Sequence, residues 1–209
     1  MKKEKRTFGT ILMIMMILFF YLPIIYMIVF SFNEGKSLTS FTGFSLRWYQ
    51  HMLESRDMMS ALYTTFSVAL IATVISTIVG TITAIGLSKS KKIIREVMEQ
   101  VNNLPMMNPE IVTGVSMMLL FVFIGALFGK TGTLGFGTLI IAHATFELPY
   151  VILNVLPKLR QTDPHLAEAA QDLGCTPLQA FFKVVLPAIM PGIVSGLMMA
   201  FTLSIDDFI

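Results

Sequence analysis

Long apolar stretches alternate along the chain with shorter segments that carry most of its charged residues. A helix needs about 20 apolar residues to cross the hydrocarbon core of a bilayer, where it satisfies its own backbone hydrogen bonds. The stretches that reach this length lie at about residues 10–32, 61–87, 109–128, 138–157 and 187–209. The pattern predicts an all-α polytopic membrane helix bundle over residues 10–209, preceded by a short N-terminal segment, residues 1–9.

The composition supports a membrane protein and excludes several other classes. Hydrophobic residues make up 55% of the 209 residues and charged residues only 13%, whereas a soluble domain carries about 25% charged residues. The net charge of +2 is too small to indicate a nucleic-acid partner. A single cysteine, Cys175, excludes a disulfide within the chain, and the three histidines are far apart in sequence, so we expect no metal site.

The first apolar stretch follows four basic residues, Lys2, Lys3, Lys5 and Arg6, as it would in a secretory signal peptide. The stretch is about 23 residues long. The apolar region of a signal peptide has about 7–15 residues and is followed by a small-x-small cleavage site, which this sequence lacks. We therefore interpret it as an uncleaved first span.

The distribution of lysine and arginine predicts the orientation, because cytoplasmic segments of membrane proteins are enriched in both. With the N-terminus inside, the inner segments hold 11 of these residues and the outer segments hold 4. A cytoplasmic N-terminus is therefore expected. The longest inner segment comprises residues 158–186 and is called the 158–186 loop below.

Small residues recur every four positions in two of the predicted spans. They are Ser76, Gly80 and Ala84 in the second span, and Gly192, Gly196, Ala200 and Ser204 in the fifth. Stripes of this kind allow helix backbones to approach closely in lipid. They predict tight helix packing and do not by themselves identify a function.

The 158–186 loop contains two consecutive sets of helix-boundary signals. Asp163 and Pro164 are typical of an N-cap and a first helical residue. Gly174 is typical of the residue that ends a helix. Thr176 and Pro177 then repeat the start signal. The loop is therefore predicted to form a short helix, a glycine turn and a second short helix that leads into the fifth span.

Each of these short helices has an apolar face. The apolar positions at helical spacing are Leu166, Ala169, Ala170 and Leu173 in the first, and Leu178, Phe181 and Phe182 in the second. Such faces must be buried against something. Taken alone, the residues leave two alternatives open: packing on the protein's own bundle or the lipid interface, and docking on a partner.

The spacing of the loop resembles the EAA loop of ABC importer permeases, in which EAA is followed by three residues, glycine, nine residues, isoleucine, one residue and Leu-Pro. Val184 stands at the position of the usual isoleucine. The matching residues are Glu168, Ala169, Ala170, Gly174, Leu186 and Pro187. In that family the loop is the coupling helix, which docks on a separate ATPase subunit. The resemblance therefore implies that these residues couple nucleotide-driven motion of the ATPase to the spans.

Further segments resemble the spermidine/putrescine ABC transporter permeases, and their C-type subunit in particular. They are FSLRWY (44–49), NPEIVTG (108–114), HATFELPYVI (143–152), LAEAAQDLG (166–174) and FTLSIDDF (201–208). The resemblance implies a multi-pass permease subunit of the bacterial plasma membrane that imports a polyamine. Its implied partners are two copies of an ATP-binding subunit, a second homologous permease subunit, an extracytoplasmic polyamine-binding protein and membrane lipid.

The same resemblance carries two further expectations. Family members have six spans, so a sixth span of about 20 apolar residues is expected beyond Ile209 and the sequence is interpreted as truncated. The chain itself is expected to bind no cofactor, because ATP and Mg²⁺ are used by the partner ATPase.

Ionisable residues within predicted spans are candidate functional residues, because burying a charge in a bilayer is costly. Glu110 begins the third span, where the positive end of the helix dipole favours a carboxylate without any further function. Glu147 lies near the middle of the fourth span, on the same face as His143 one turn away. A Glu147–His143 hydrogen bond within the bundle and an anionic lining for a cationic solute are both compatible with this position.

Asp206 and Asp207 follow Pro187 by about 19 residues, or about 28 Å along a helix. They could mark the water-exposed end of the fifth helix or meet an incoming polyamine. Our hypothesis is that Glu147, Asp206 and Asp207 form part of a cation-attracting path, with the Tyr150 ring beside it.

Other functions find less support in the sequence. GALFGKT (125–131) approaches a phosphate-binding Walker A loop, but Ile124 occupies the position of its first glycine. An intramembrane aspartyl protease needs two carboxylates that face each other, whereas adjacent residues of one helix point about 100° apart. The chain is therefore not expected to be an enzyme. A secondary transporter of a small cationic solute is the remaining alternative, although no half-length inverted repeat is evident.

Overall fold

The computed structural model describes residues 2–107, 110–130 and 132–206, and the structure of these residues is almost entirely helical. The helices are α1 (Lys2–Ser31), α2 (Arg47–Glu54), α3 (Arg56–Lys89), α4 (Lys92–Met107), α5 (Glu110–Leu127), α6 (Phe136–Gln161), α7 (Leu166–Asp172), α8 (Pro177–Ala180), a π-helical segment (Phe181–Val185) and α9 (Leu186–Asp206). No strand occurs in the described ranges, which contain one isolated bridge, between Asn33 and Phe44. The predicted all-α class is confirmed.

Among the described residues, five helical segments are long and apolar enough to cross a membrane, as predicted. They are Gly9–Ser31, Arg56–Lys89, Glu110–Leu127, Phe136–Gln161 and Pro177–Asp206. Three of these segments extend well beyond the predicted apolar stretches. The second begins at Arg56 and not at residue 61, the fourth ends at Gln161 and not at residue 157, and the fifth begins at Pro177 and not at residue 187. Apolar runs locate the hydrocarbon crossing, whereas the backbone hydrogen bonds of a helix continue into its polar flanks.

The chain divides into two compact units, the first ending at Leu62 and the second beginning at Tyr63. In the first unit, the segment after α1 folds around the buried side chain of Asn33. Its Nδ2 donates to the carbonyls of Ser37 and Ser40, both at 2.9 Å, and its Oδ1 accepts from the Thr42 amide at 2.8 Å. The Trp48 indole donates to the Asn33 carbonyl at 2.9 Å. This segment is thus an ordered polar turn.

In the second unit, α6 packs lengthwise against α9 and also contacts α3. Every residue of the two predicted small-residue stripes is buried. A Cβ atom placed on Gly80 would lie 2.7 Å from Val151 Cγ1, and one placed on Gly192 would lie 2.8 Å from Lys158 Cβ. The absence of a side chain at these positions is what lets α3 and α9 approach α6 so closely, which confirms the predicted role of the stripes.

Helix α4 is an element that the sequence interpretation missed, because residues between the second and third apolar stretches were treated only as an inner segment. It packs against α6. Glu99 forms an ion pair with Arg160, and Asn102 Nδ2 donates to the carbonyl of Pro149 at 3.2 Å. Two polar contacts thus hold α4 along the half of α6 that leads into the 158–186 loop.

Candidate functional site

The first short helix of the 158–186 loop ends as its sequence predicts. Gly174 has φ +89°, a left-handed conformation that only glycine adopts without strain. Its amide donates to the carbonyl of Gln171 at 2.8 Å, and the Cys175 amide donates to the carbonyl of Ala170 at 3.1 Å. This pair of bonds is a Schellman motif. It satisfies carbonyls at the end of α7 and turns the chain sharply into α8.

The second short helix begins at the predicted residues. Thr176 Oγ1 accepts from the Gln179 amide at 3.3 Å, while Gln179 Oε1 accepts from the Thr176 amide at 3.1 Å, forming a capping box. Pro177 occupies the first turn, where no amide donor is needed. The predicted helix–turn–helix is therefore confirmed.

Helix α8 continues into α9 through the π-helical segment that contains Val184. The Leu186 amide bonds to the carbonyl of Phe181, five residues earlier. Pro187 follows and has no amide hydrogen to donate, so the regular four-residue pattern cannot continue unbroken at this point. The result is one helical run from Pro177 to Asp206, which connects the loop directly to the fifth span.

One detail of the predicted loop is wrong, namely the start of its first helix. Asp163 is not the N-cap, because α7 begins at Leu166 with His165 before it. The Asp163 carboxylate instead accepts from the His165 amide at 2.9 Å, which closes a turn ahead of the helix. A side chain that bonds two residues onward can form such a turn as readily as a helix cap, and the sequence does not distinguish the two.

Glu168, the glutamate of the EAA-like motif, lies on the surface and contacts His165. Their side chains are 2.9 Å apart, from Nδ1 to Oε2. The hydrogen bond that the His165 imidazole donates to Glu168, the negative charge of Glu168 and the charge of Asp163 raise the pKa of His165 above its usual value. This end of the loop therefore keeps the positive charge of His165 to a higher pH than an unperturbed histidine would allow.

The apolar side chains of the loop are divided between buried and exposed positions. Ala170 and Ala180 are buried, which lets α7 and α8 pack together. Leu173 is 89% exposed, Leu178 is 72% exposed and Phe182 is 59% exposed. The loop therefore presents large apolar groups that its own chain leaves uncovered, a feature of interaction surfaces.

The intramembrane residue Glu147 is fully buried. Ser76 Oγ of α3 donates to its Oε2 at 2.7 Å. One turn away, His143 Nδ1 lies 3.0 Å from Ser204 Oγ of α9. Helix α6 thus uses two polar side chains on one face to contact the helices on either side of it. The sequence pattern predicted Ser76 and Ser204 only as small packing residues. Their hydroxyl groups could have indicated that they also form hydrogen bonds.

The remaining residues of the hypothesised path lie at different levels. Tyr150 is partly buried, with its ring 5.9 Å from that of Phe146. Asp206 is exposed at the end of α9. Asp207 lies outside the described residues. His143 of α6 contacts Ser204 of α9, and the two helices run antiparallel. Glu147 follows His143 by four residues and Asp206 follows Ser204 by two, in opposite directions along the helix axes. Glu147 and Asp206 are therefore about 9 Å apart along the axes, at about 1.5 Å per residue.

Comparison with known proteins identifies relatives over most of the chain. The chain is 38% identical over 192 residues to the putrescine transport system permease protein PotI of Escherichia coli, covering 91% of this chain and 68% of that protein. It is 35% identical over 191 residues to the spermidine/putrescine transport system permease protein PotC of Haemophilus influenzae, covering 91% and 72%. A PotC homolog from Mycoplasma genitalium is 29% identical over 205 residues, covering 93% and 71%.

These relatives are permease components of transport systems and not catalytic enzymes, in agreement with the resemblance found in the sequence. Residues 76–209 match the family model for the inner membrane component of binding-protein-dependent transport systems. The matched region contains α6, the 158–186 loop and both small-residue stripes. The chain therefore belongs to the family of binding-protein-dependent transport system inner membrane components and is a multi-pass permease subunit of an ABC importer.

Proposed function

We propose that this chain forms part of the path by which a polyamine, spermidine or putrescine, enters a bacterial cell. The observation that carries the proposal is its identity of 31–38% over 191 or 192 residues to permeases whose names specify these solutes. Polyamines carry several ammonium groups, and carboxylates at membrane depth suit such a substrate electrostatically.

The 158–186 loop docks on the ATP-binding subunit in this proposal. Leu173, Leu178 and Phe182 supply an exposed apolar surface, and Glu168, Ala169, Ala170, Gly174, Leu186 and Pro187 match the family motif. The continuous helix Pro177–Asp206 transmits displacement of the loop to the α6–α9 interface. The partner subunit binds and uses ATP and Mg²⁺. This chain contributes the solute path and the helix that transmits motion of the loop to the spans.

The proposed assembly places the N-terminus in the cytoplasm and contains two ATP-binding subunits, this chain, a second homologous permease and an extracytoplasmic binding protein. The excess of lysine and arginine in the predicted inner segments supports this orientation.

Glu147 becomes accessible to the solute, in this proposal, only when α3 moves away from α6. The carboxylate is fully buried and bonded to Ser76 in the structure. Asp206 is exposed about 9 Å further toward the outer end. A polyamine with several cationic groups would meet Asp206 and Asp207 first, and Glu147 and Tyr150 after the helices separate.

Uptake of labelled putrescine by proteoliposomes containing the assembled transporter tests the energy source and the substrate together. We expect uptake that requires ATP and the binding protein, and that labelled amino acids or sugars do not reproduce. Uptake driven by a proton gradient without ATP would establish the secondary-transporter alternative. ATP-dependent uptake of a different solute would retain the ABC mechanism and reject the polyamine.

The docking surface is tested with Leu173→Asp, which places a charge in the exposed apolar patch. We expect the variant to lose the ATP-binding subunit during purification because the contact cannot bury a charge. Leu38→Asp is the matched control, since Leu38 is 69% exposed and lies in the predicted outer segment. Equal retention of the ATPase by both variants would refute the proposed docking surface.

A further inference from the structure

A cavity of about 480 Å³ lies where the spans meet the 158–186 loop. It is bounded by the end of α3, the start of α4, the end of α6, and by residues of α7, α8 and the π-helical segment. Its position at the ends of two spans places it at the level of the membrane interface. No residue of this cavity belongs to the hypothesised polyamine path.

The lining of the cavity has a cationic part. Lys89, Arg95 and Arg160 contribute three positive charges, and Asp163 contributes one negative charge. Arg160 is already paired with Glu99. Lys89 and Arg95 have no ion pair or side-chain hydrogen bond within the described ranges of the chain. Two cationic side chains from different helices therefore line the cavity without an ion-pair partner among the described residues, because the Asp163 carboxylate accepts a hydrogen bond from the His165 amide.

The rest of the lining is largely apolar. Ile85 and Leu159 belong to the spans, while Phe181 and Val185 belong to the π-helical segment. A free phosphate ion would gain nothing from these groups. A molecule with a phosphate attached to hydrocarbon chains could place its charge beside Lys89 and Arg95 and its apolar part against the spans. Basic pockets between helices on the cytoplasmic side are typical binding sites for lipid headgroups.

We propose that this cavity binds the phosphate headgroup of an anionic phospholipid from the cytoplasmic leaflet. Lys89 and Arg95 contact the phosphate, and the lipid fills the space between the ends of the spans and the base of the loop. The inference goes beyond polyamine transport and rests only on the proposed orientation. It assigns to the lipid a position from which it supports the loop that docks on the ATPase.

Native mass spectrometry of the assembled transporter, released from nanodiscs of phosphatidylglycerol or phosphatidylcholine, provides the test. Without nucleotide or polyamine, we expect the wild type to retain phosphatidylglycerol in preference to phosphatidylcholine. Each cation near a membrane surface contributes about fivefold in affinity, so Lys89→Gln/Arg95→Gln should bind phosphatidylglycerol about 25-fold more weakly. Lys89→Arg/Arg95→Lys, which keeps both charges, should retain it.

The matched control is Lys91→Gln/Lys92→Gln, which removes two neighbouring cations that do not line the cavity. Both are exposed, and Lys92 lies 3.8 Å from Glu96. We expect this variant to bind phosphatidylglycerol like the wild type. An equal loss in both double variants would attribute binding to general surface charge and overturn the site.

Three further results would overturn the proposal. Equal retention of phosphatidylcholine by the wild type would show an apolar groove without headgroup selectivity. Displacement of phosphatidylglycerol by millimolar inorganic phosphate would identify a soluble phosphate as the ligand. Loss of the ATP-binding subunit from Lys89→Gln/Arg95→Gln would assign the cations to that interface. Because retention is measured without substrate, failure of the polyamine assignment would leave this result unaffected.

Discussion

Gly80 offers the sharpest test of the helix packing, because α3 contains a second glycine in a contrasting environment. A Cβ atom at position 80 would lie 2.7 Å from Val151 Cγ1 and 2.9 Å from Val151 Cβ. Both atoms belong to a buried β-branched side chain that has little rotamer freedom in a helix. A Cβ atom at Gly86 would meet no atom of another helix within 4 Å in the part of the chain that the structure describes.

The expected free energies follow from these distances. Replacing glycine by alanine within a helix is favourable by about 1 kcal/mol from backbone propensity, and this gain is common to both positions. Overpacking a close interface costs about 1–3 kcal/mol, and this cost applies only to Gly80→Ala. Gly86→Ala should therefore unfold at the wild-type temperature or above it, with Gly80→Ala about 1–3 kcal/mol less stable than Gly86→Ala.

The measurement is thermal unfolding of the purified transporter in detergent, followed by circular dichroism and compared at one detergent concentration. Val151→Ala provides a second test, because it removes the Cγ atom that the new methyl group would meet. Gly80→Ala/Val151→Ala should be more stable than the sum of the single effects predicts, since the two side chains compete for one space. Equal stabilities of the two glycine variants, or additive effects in the double variant, would refute the packing assigned to Gly80.

Three other outcomes are expected. Ser76→Ala should lower stability by about 1–3 kcal/mol, because it removes a hydrogen-bond donor from the buried Glu147 carboxylate, and thermal unfolding measures this. Gly174→Ala should cost about 1–2 kcal/mol from its left-handed backbone and should speed amide hydrogen exchange in α7 and α8. Glu168→Gln should lower the pKa of His165 toward its usual value in an NMR titration. Because the pKa of His165 is raised, the stabilisation that its contact with Glu168 contributes is present at about pH 6.5 and is lost as pH rises through the raised pKa.

Each of these predictions has a comparison within the chain. Ser116→Ala removes a hydroxyl that bonds only to a carbonyl of its own helix, so it should leave stability nearly unchanged. Gly137→Ala has open space for its Cβ and lacks a positive φ, so exchange in the loop should not respond. Asp172→Asn is the charge control for Glu168→Gln, because Asp172 does not contribute to the raised pKa of His165. Loss of the difference between any variant and its control would contradict the corresponding contact.

Local signals predicted the 158–186 loop nearly completely. Gly174, Thr176 and Pro177 act through their own backbones and immediate neighbours, so their conformations can be inferred without knowing the fold. The misplaced start at Asp163 marks the limit of this reasoning, because a carboxylate two residues before an amide can close a turn or cap a helix.

Helix α4 was missed for a different reason. Its apolar side chains recur at Ile93, Val97, Val101 and Leu104, a spacing that indicates an amphipathic helix. Searching for spans by continuous hydrophobicity does not detect that pattern. Even a correct prediction of α4 would not have indicated the contact between Glu99 and Arg160, because 61 residues separate the two in sequence.

The sequence by itself determined the membrane class, the number of apolar helices and the stripes on which they pack, because bilayer thickness and helical periodicity act on consecutive residues. The tertiary structure alone decided which polar groups meet. Glu147 and Ser76 are 71 residues apart, and only the close approach of α3 to α6, permitted by Gly80, brings them within hydrogen-bond distance. The cavity at Lys89 and Arg95 has the same origin: its residues come from separate helices whose ends converge only when the bundle is packed.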